Sequence, residues 1–225
     1  MSLPMPSTNP PAHSESARRC YYTWDIHYDC NYRCSYCYFH DTWDAQQKLN
    51  RYPGIEHWKA VWDGVFARYG EGHLHVSGGE PFTYPGIIDL IEALLPKFTM
   101  EFDTNLSFDA AGFMRRIPPG RVKFCATYHP EFVERGAFLR KVRALWLARY
   151  DIGVSCVAFP EHYEELRKLH ADTKALRLPL TIMPFRGTHQ GKTYPAAYTE
   201  DESRMLCSLD AQNAPRSMAF YGKKS

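Results

Sequence analysis

YYTWDIHYDCNYRCSYC, residues 21–37, runs from an aromatic and β-branched segment straight into a loop that carries Cys30, Cys34 and Cys37. The first part, YYTWDIH, has the composition of a β-strand, so the cysteines follow the carboxyl end of a first strand. Working outward, Ile55, Trp58, Val61, Trp62, Val65, Phe66 and Tyr69 recur at spacings of three and four, the apolar stripe of a helix. HLHVS (73–77) reads as a second strand closed by Gly78 and Gly79, and Ile87, Ile88, Ile91, Leu94 and Leu95 mark a helix that stops at Pro96.

The alternation continues with strands at FTMEFDTNL (98–106), RVKFCATYH (121–129), IGVSCVAF (152–159) and LTIMPF (180–185). Helical stretches lie between them around Phe113 and Met114, along Phe138, Val142, Leu145 and Trp146, and over 162–176. Strands alternating with helices through short connections imply a parallel sheet with its helices outside, because each βα unit returns right-handed to the next parallel strand. The expected fold class is α/β, a partial (β/α)6 TIM barrel with a curled sheet. In such folds the loops after the strand ends build the site. The cysteine loop, Gly78-Gly79-Glu80, Asp103-Thr104-Asn105 and Thr127-Tyr128-His129 would then share one rim.

Composition narrows the setting. The 225 residues with 44% hydrophobic content can bury a sizeable core, and 27 basic against 25 acidic residues give no charge argument for nucleic acid or an anionic membrane. No apolar run reaches the length of a membrane span, and MSLPMPSTNPPAHSESARR lacks the apolar core of a signal peptide, so the expectation is a soluble cytoplasmic protein. The Pro- and Ser-rich residues 1–19 read as a disordered leader, 20–190 as the core barrel, and 191–225 as a C-terminal extension.

Seven cysteines in a chain with a large core argue for metal binding rather than disulfide staples. Cys125 and Cys156 lie in strand-like apolar runs and read as small buried hydrophobes, while Cys20 and Cys207 stay unassigned. Three thiolates in one loop leave two chemistries open. Zinc would close its shell with a fourth partner such as His27 or His40, giving a structural or interaction protein; an iron–sulfur cluster would keep one iron free of protein ligand.

CNYRCSYC resembles the Cys-x3-Cys-x-aromatic-Cys signature of the radical S-adenosylmethionine (radical SAM) enzymes, and it stands after the first strand, where that family places it. The likeness in βα order extends over roughly residues 20–190. It implies that Cys30, Cys34 and Cys37 bind three irons of a [4Fe–4S] cluster, the fourth being chelated by the amino and carboxylate groups of SAM. Tyr36 would lie by the adenine. SGGEP (77–81) is similar to the family's Gly-Gly-Glu motif, so Gly78, Gly79 and Glu80 would receive the SAM ammonium, with Asn105 reaching its carboxylate or ribose and Thr127 and His129 at the ribose position. The usual motif of the fifth strand is replaced by VSCVAFPE, which leaves the adenine contacts there unassigned.

The implied chemistry is reductive cleavage of SAM and hydrogen-atom abstraction from a substrate, with an electron donor such as flavodoxin or ferredoxin. No protein residue is assigned a catalytic role, although His27 and His129 are placed to move protons. A peptide or protein side chain is the favoured substrate and a small metabolite the alternative. Residues 185–202 carry a loop pattern where many relatives lead into a SPASM or twitch extension with auxiliary clusters; the readings left open are a compact, activating-enzyme-like member and a truncated core.

Overall fold

The computed structural model describes residues 20–210. Six strands, β1 (Cys20–His27), β2 (Gly72–Gly78), β3 (Phe98–Thr104), β4 (Val122–Tyr128), β5 (Asp151–Ala158) and β6 (Leu180–Pro184), pair in parallel in the order of the sequence. Helices α1 (Trp43–Gln47), α2 (Ile55–Tyr69), α3 (Ile87–Leu94), α4 (Ala110–Arg116), α5 (Arg135–Leu147) and α6 (Tyr163–Leu176) fill the crossovers. A short antiparallel hairpin, β7 (Gly187–His189) with β8 (Lys192–Tyr194), and helix α7 (Glu200–Leu209) follow. This is the expected α/β partial barrel, an open parallel sheet with β1 and β6 at its edges.

The strands alternate in burial because their two faces do different work. Leu74 and Val76, Phe98, Met100 and Phe102, and Val122 and Phe124 are buried in the core with Trp62, Leu90, Leu94 and Phe113 of the helices. The ring of Trp62 meets Phe98 edge-on and Phe113 meets Phe124 the same way, a geometry that adds to area burial. The opposite face is more polar and, apart from the buried Ser155, mostly half-buried. Ser77 donates to Asp25 across the β1–β2 register at 2.7 Å, Lys123 pairs with Glu101 at 3.1 Å, and Thr127 and Ser155 hydroxyls meet at 2.9 Å.

Two local differences from the sequence reading matter. The third strand ends at Thr104, two residues early, because Asn105 leaves the ladder and Leu106 turns into the left-handed region at φ 56°. Lys141 of α5 holds that turn by donating to the carbonyls of Leu106 (2.7 Å) and Phe108 (3.1 Å). Residues 185–202, which show no core period, contain the hairpin and the capped start of α7, where Thr199 and Glu202 satisfy each other's backbone amides. The Asp210 carboxylate just after α7 accepts from the Ile182 amide of β6, and Tyr198 accepts from Phe185 and donates to the Ala158 carbonyl. The chain after β6 therefore seals the edge of the sheet. The expected leader, residues 1–19, lies outside the described residues, as do 211–225 of the extension. No helix among the described residues is long and apolar enough to cross a membrane.

Candidate functional site

The carboxyl end of the sheet opens on a cavity of about 300 Å³, and all ten residues singled out in the sequence line it: Cys30, Cys34, Cys37 and Tyr36 from the loop after β1, Gly78, Gly79 and Glu80 after β2, Asn105 after β3, and Thr127 and His129 at the end of β4. Parallel strands bring their carboxyl ends to one rim, so residues up to 99 positions apart share one space.

The cysteine loop leaves the barrel between two rigid anchors. At its start, His27 is buried, its Nε2 donates to the Glu80 carbonyl at 3.0 Å, and its Nδ1 accepts from the Asp29 amide at 3.2 Å. With both ring nitrogens engaged, His27 is a structural residue, neither proton carrier nor metal ligand; burial lowers its pKa. Asp29 accepts from Gln47 at 3.0 Å and from the Tyr52 hydroxyl, and the Tyr28 amide donates to Asn50 at 2.7 Å. At its end the exposed His40 opens a short 3-10 turn, outside the cavity wall. Trp43 lines the cavity and stacks under the Arg33 guanidinium at 4.4 Å.

Gly78 and Gly79 are required by the loop itself. A Cβ at Gly78 would stand 2.1 Å from the His27 carbonyl oxygen, and one at Gly79 would stand 2.0 Å from that of Asp29. Gly78 also sits at φ 121°, where only glycine is unstrained. Strand β2 thus ends against the backbone that launches the cysteines, with Gly79 donating to His27 O and Glu80 donating to Asp29 O, both at 2.8 Å.

Glu80 is almost wholly buried. One carboxylate oxygen accepts from the Phe82 amide (3.1 Å) and the Thr104 hydroxyl (2.8 Å), the other from the Asn105 amide (2.7 Å). Three of roughly four lone-pair positions are thereby used. Burial pushes its pKa up to about 7 against the pull of those hydrogen bonds. The Asn105 side chain donates to Asn31 at 3.0 Å and accepts from the Ser107 amide at 2.9 Å, tying the third rim loop to the cysteine loop.

Each of the three sulfurs has a hydrogen-bonding partner. The Tyr32 amide points at Cys30 Sγ (3.3 Å), with Asn105 Nδ2 further off at 3.9 Å, and the Phe39 amide points at Cys37 Sγ (3.5 Å). Cys34 Sγ meets His129 Nδ1 at 3.3 Å. As thiols these groups are held protonated by burial, Cys30 up to about 11, Cys34 up to about 12 and Cys37 upward. Donors directed at sulfur suit thiolates, the form in which a metal takes a cysteine. Among the described residues no three His, Cys, Asp or Glu side chains gather closely enough for one metal ion. In a multi-iron cluster each thiolate binds a different iron, so the three sulfurs need not converge on one point.

His129 accounts for part of the latch over this loop. Its Nδ1 also lies 3.1 Å from the Tyr36 hydroxyl, and the two rings stack at 6.0 Å; burial pushes the imidazole down to about 4. Tyr36 is buried, stacks on Phe159, and has its pKa raised by burial. Glu131 accepts from the Ser35 amide at 2.9 Å and from its hydroxyl, and Phe132 stacks on Tyr32 at 4.7 Å. Thr127 bonds Ser155 rather than a loop residue. Asp103, placed on the rim without a role, lines the cavity too, and so does the half-buried Cys125, which sequence reasoning took for a core residue; burial pushes its pKa up to about 11. The signal was present: Asp103 with Asn105, and Cys125 with Thr127 and His129, are two apart and so share a strand face.

A curled parallel sheet with a cavity at its carboxyl end, walled by a three-thiol loop and a Gly-Gly-Glu turn, defines a partial TIM-barrel enzyme domain. Residues 25–121 match the family model of the Radical SAM superfamily. No curated protein matches the chain by sequence. Among solved structures, Streptococcus suis SuiB bound to S-adenosylmethionine aligns at TM-score 0.66 and 12% identity over 89% of this chain and 49% of its own. The same SuiB bound to the precursor peptide SuiA aligns at 0.66 and 12%, over 89% and 47%. Native anSMEcpe with bound AdoMet and Cp18Cys peptide aligns at 0.61 and 13%, over 84% and 57%. At these identities the likeness is one of fold, and the chain spans about half the length of these structures.

Proposed function

We propose that this protein is a radical SAM enzyme that holds a [4Fe–4S] cluster through Cys30, Cys34 and Cys37 and binds SAM in the adjoining cavity. The observation that carries the reading is the convergence of three sulfurs, each with a hydrogen-bonding partner, with Gly78-Gly79-Glu80 and Asn105 around one cavity. When bound, the cluster supplies a low-potential electron for SAM cleavage and so the means of abstracting a hydrogen atom. The chain's own groups orient and shield. The Glu80 carboxylate keeps one acceptor position beyond those used by Phe82, Thr104 and Asn105, which suits a nearby ammonium. Tyr36 and Trp43 offer aromatic surface, and Thr127 and Asn105 offer polar groups for a ribose or carboxylate.

For the substrate we favour a peptide or protein side chain. The support is the fold likeness to SuiB and anSMEcpe, whose structures hold peptides. The electron donor would be a flavodoxin or ferredoxin, the compartment a reducing cytoplasm in which all seven cysteines stay free, and residues 20–190 the catalytic core. Anoxic reconstitution with iron and sulfide tests the assignment. We expect a brown protein with about four irons per chain, a reduced-state EPR signal altered by SAM, and 5′-deoxyadenosine on addition of reductant; Cys34→Ala abolishes all three. A colourless protein with stoichiometric zinc returns the structural alternative.

A further inference from the structure

Cys30 and Cys37 receive their nearest donors from backbone amides, those of Tyr32 and Phe39, which any sequence in this loop conformation would supply. Cys34 differs. Its sulfur is met by side chains, with His129 Nδ1 at 3.3 Å and the Tyr36 hydroxyl 3.1 Å from that same nitrogen. His129 arrives from the end of β4, 95 residues away, and three further contacts hold it there: Tyr36 stacks on its ring, Glu131 grips the Ser35 amide at 2.9 Å, and Phe132 lies flat on Tyr32. A residue so fixed is already committed to the cysteine loop rather than held out to a ligand in the cavity.

We propose that His129 is a positioning residue for the cluster, its Nδ1–H donating to the Cys34 sulfur and so raising the cluster's reduction potential, rather than a SAM ligand. The inference rests on the cluster assignment above. A sulfur bound to iron carries negative charge that grows on reduction, so a donor aimed at it stabilises the reduced state more than the oxidised one. Partners of this kind, one step removed from the metal, are a principal means by which a protein tunes it. Nδ1 can donate only in the tautomer that leaves Nε2 bare, and the negative sulfur beside it selects that tautomer. The Tyr36 hydroxyl then turns its own hydrogen to the same sulfur.

The test is an anoxic redox titration with dithionite, followed by EPR of the reduced cluster, on the reconstituted wild type and on His129→Leu, His129→Phe and His129→Asn. In the Leu and Phe variants we expect iron content and the SAM-induced spectral change to match wild type, SAM affinity to stay within about twofold, and the midpoint to move to a more negative potential. His129→Asn, which can place an amide N–H near the old Nδ1, is expected to recover most of the shift. Cluster loss in the Leu and Phe variants with retention in Asn also supports the donor role. An unchanged midpoint in Leu and Phe, an equal shift in all three, cluster loss in all three, or weakened SAM binding with the wild-type midpoint overturns it. A wild-type protein that takes up no cluster or ignores SAM defeats the parent assignment instead, so the two failures are distinguishable.

Discussion

An alanine at position 79 would put its Cβ 2.0 Å from the Asp29 carbonyl oxygen and 2.8 Å from the Tyr28 carbonyl carbon, both backbone atoms with nowhere to move. Gly79→Ala is therefore expected to destabilise the protein by about 3 kcal/mol, as overpacking does. Gly54→Ala, where nothing lies within 4 Å, should leave the urea midpoint nearly unchanged. Equal midpoints for both variants would show that the two strand ends are not packed as described. On the inner face of the sheet, His75 Nε2 bonds the Asp103 carboxylate at 2.9 Å, and that bond raises its pKa above 6.5 against the opposing effect of partial burial. A raised histidine pKa stabilises the fold fully below the unfolded value of about 6.5, and the contribution is lost as pH climbs through the folded value. NMR titration of the His75 ring should give a midpoint above 6.5 that falls in Asp103→Asn; a midpoint indifferent to that substitution contradicts the pairing.

Helix α7 is the element the sequence pattern conceals. Only Leu206 along it is fully buried, with Met205, Cys207 and Leu209 half-buried, and the preceding hairpin strands have three residues each, too few for a period to register. What it does is tertiary: it carries Asp210 to the Ile182 amide and closes the open edge at β6. An edge left unpaired is a liability that folds cover in this way. Leu206→Ala should cost about 2–5 kcal/mol in chemical denaturation. Thr199→Ala, which removes the capping box, should cost about 1 kcal/mol. A Leu206→Ala variant as stable as the wild type would show α7 to be detached from the barrel. The six sheet strands and helices α2 to α6 were legible for the opposite reason, since strands of five to eight residues and helices of seven to fifteen carry their period locally.

At the scale of the molecule the cysteine loop is held from both sides by contacts that do not involve metal: Asp29 with Gln47 and Tyr52, Tyr28 with Asn50, and Ser35 with Glu131. The sheet core beneath is aromatic, with Phe82, Phe102, Phe108, Phe113 and Phe124 linked by ring contacts. Chelating iron from the reconstituted protein is accordingly expected to lower the melting temperature, because a group bound only by the folded state stabilises it, while leaving the barrel folded. Hydrogen exchange should quicken within residues 28–39 and stay slow in β3, β4 and β5. Global loss of protection on iron removal would mean that the loop and the barrel form one cooperative unit.

The order of the six sheet strands and of helices α2 to α6, the rim they build and the spacing of Cys30, Cys34 and Cys37 were all determined by the sequence alone. Each is written in short-range periodicity, and right-handed parallel connection then leaves only one end of the sheet for the loops. Which partner each rim residue takes was decided only by the tertiary structure. Glu80 binds Phe82, Thr104 and Asn105, Gly79 makes room for Asp29, and His129 on the cavity wall meets Cys34. Those choices depend on the twist that brings strand ends together across as many as 95 residues, and no local pattern records a distance set by the whole sheet.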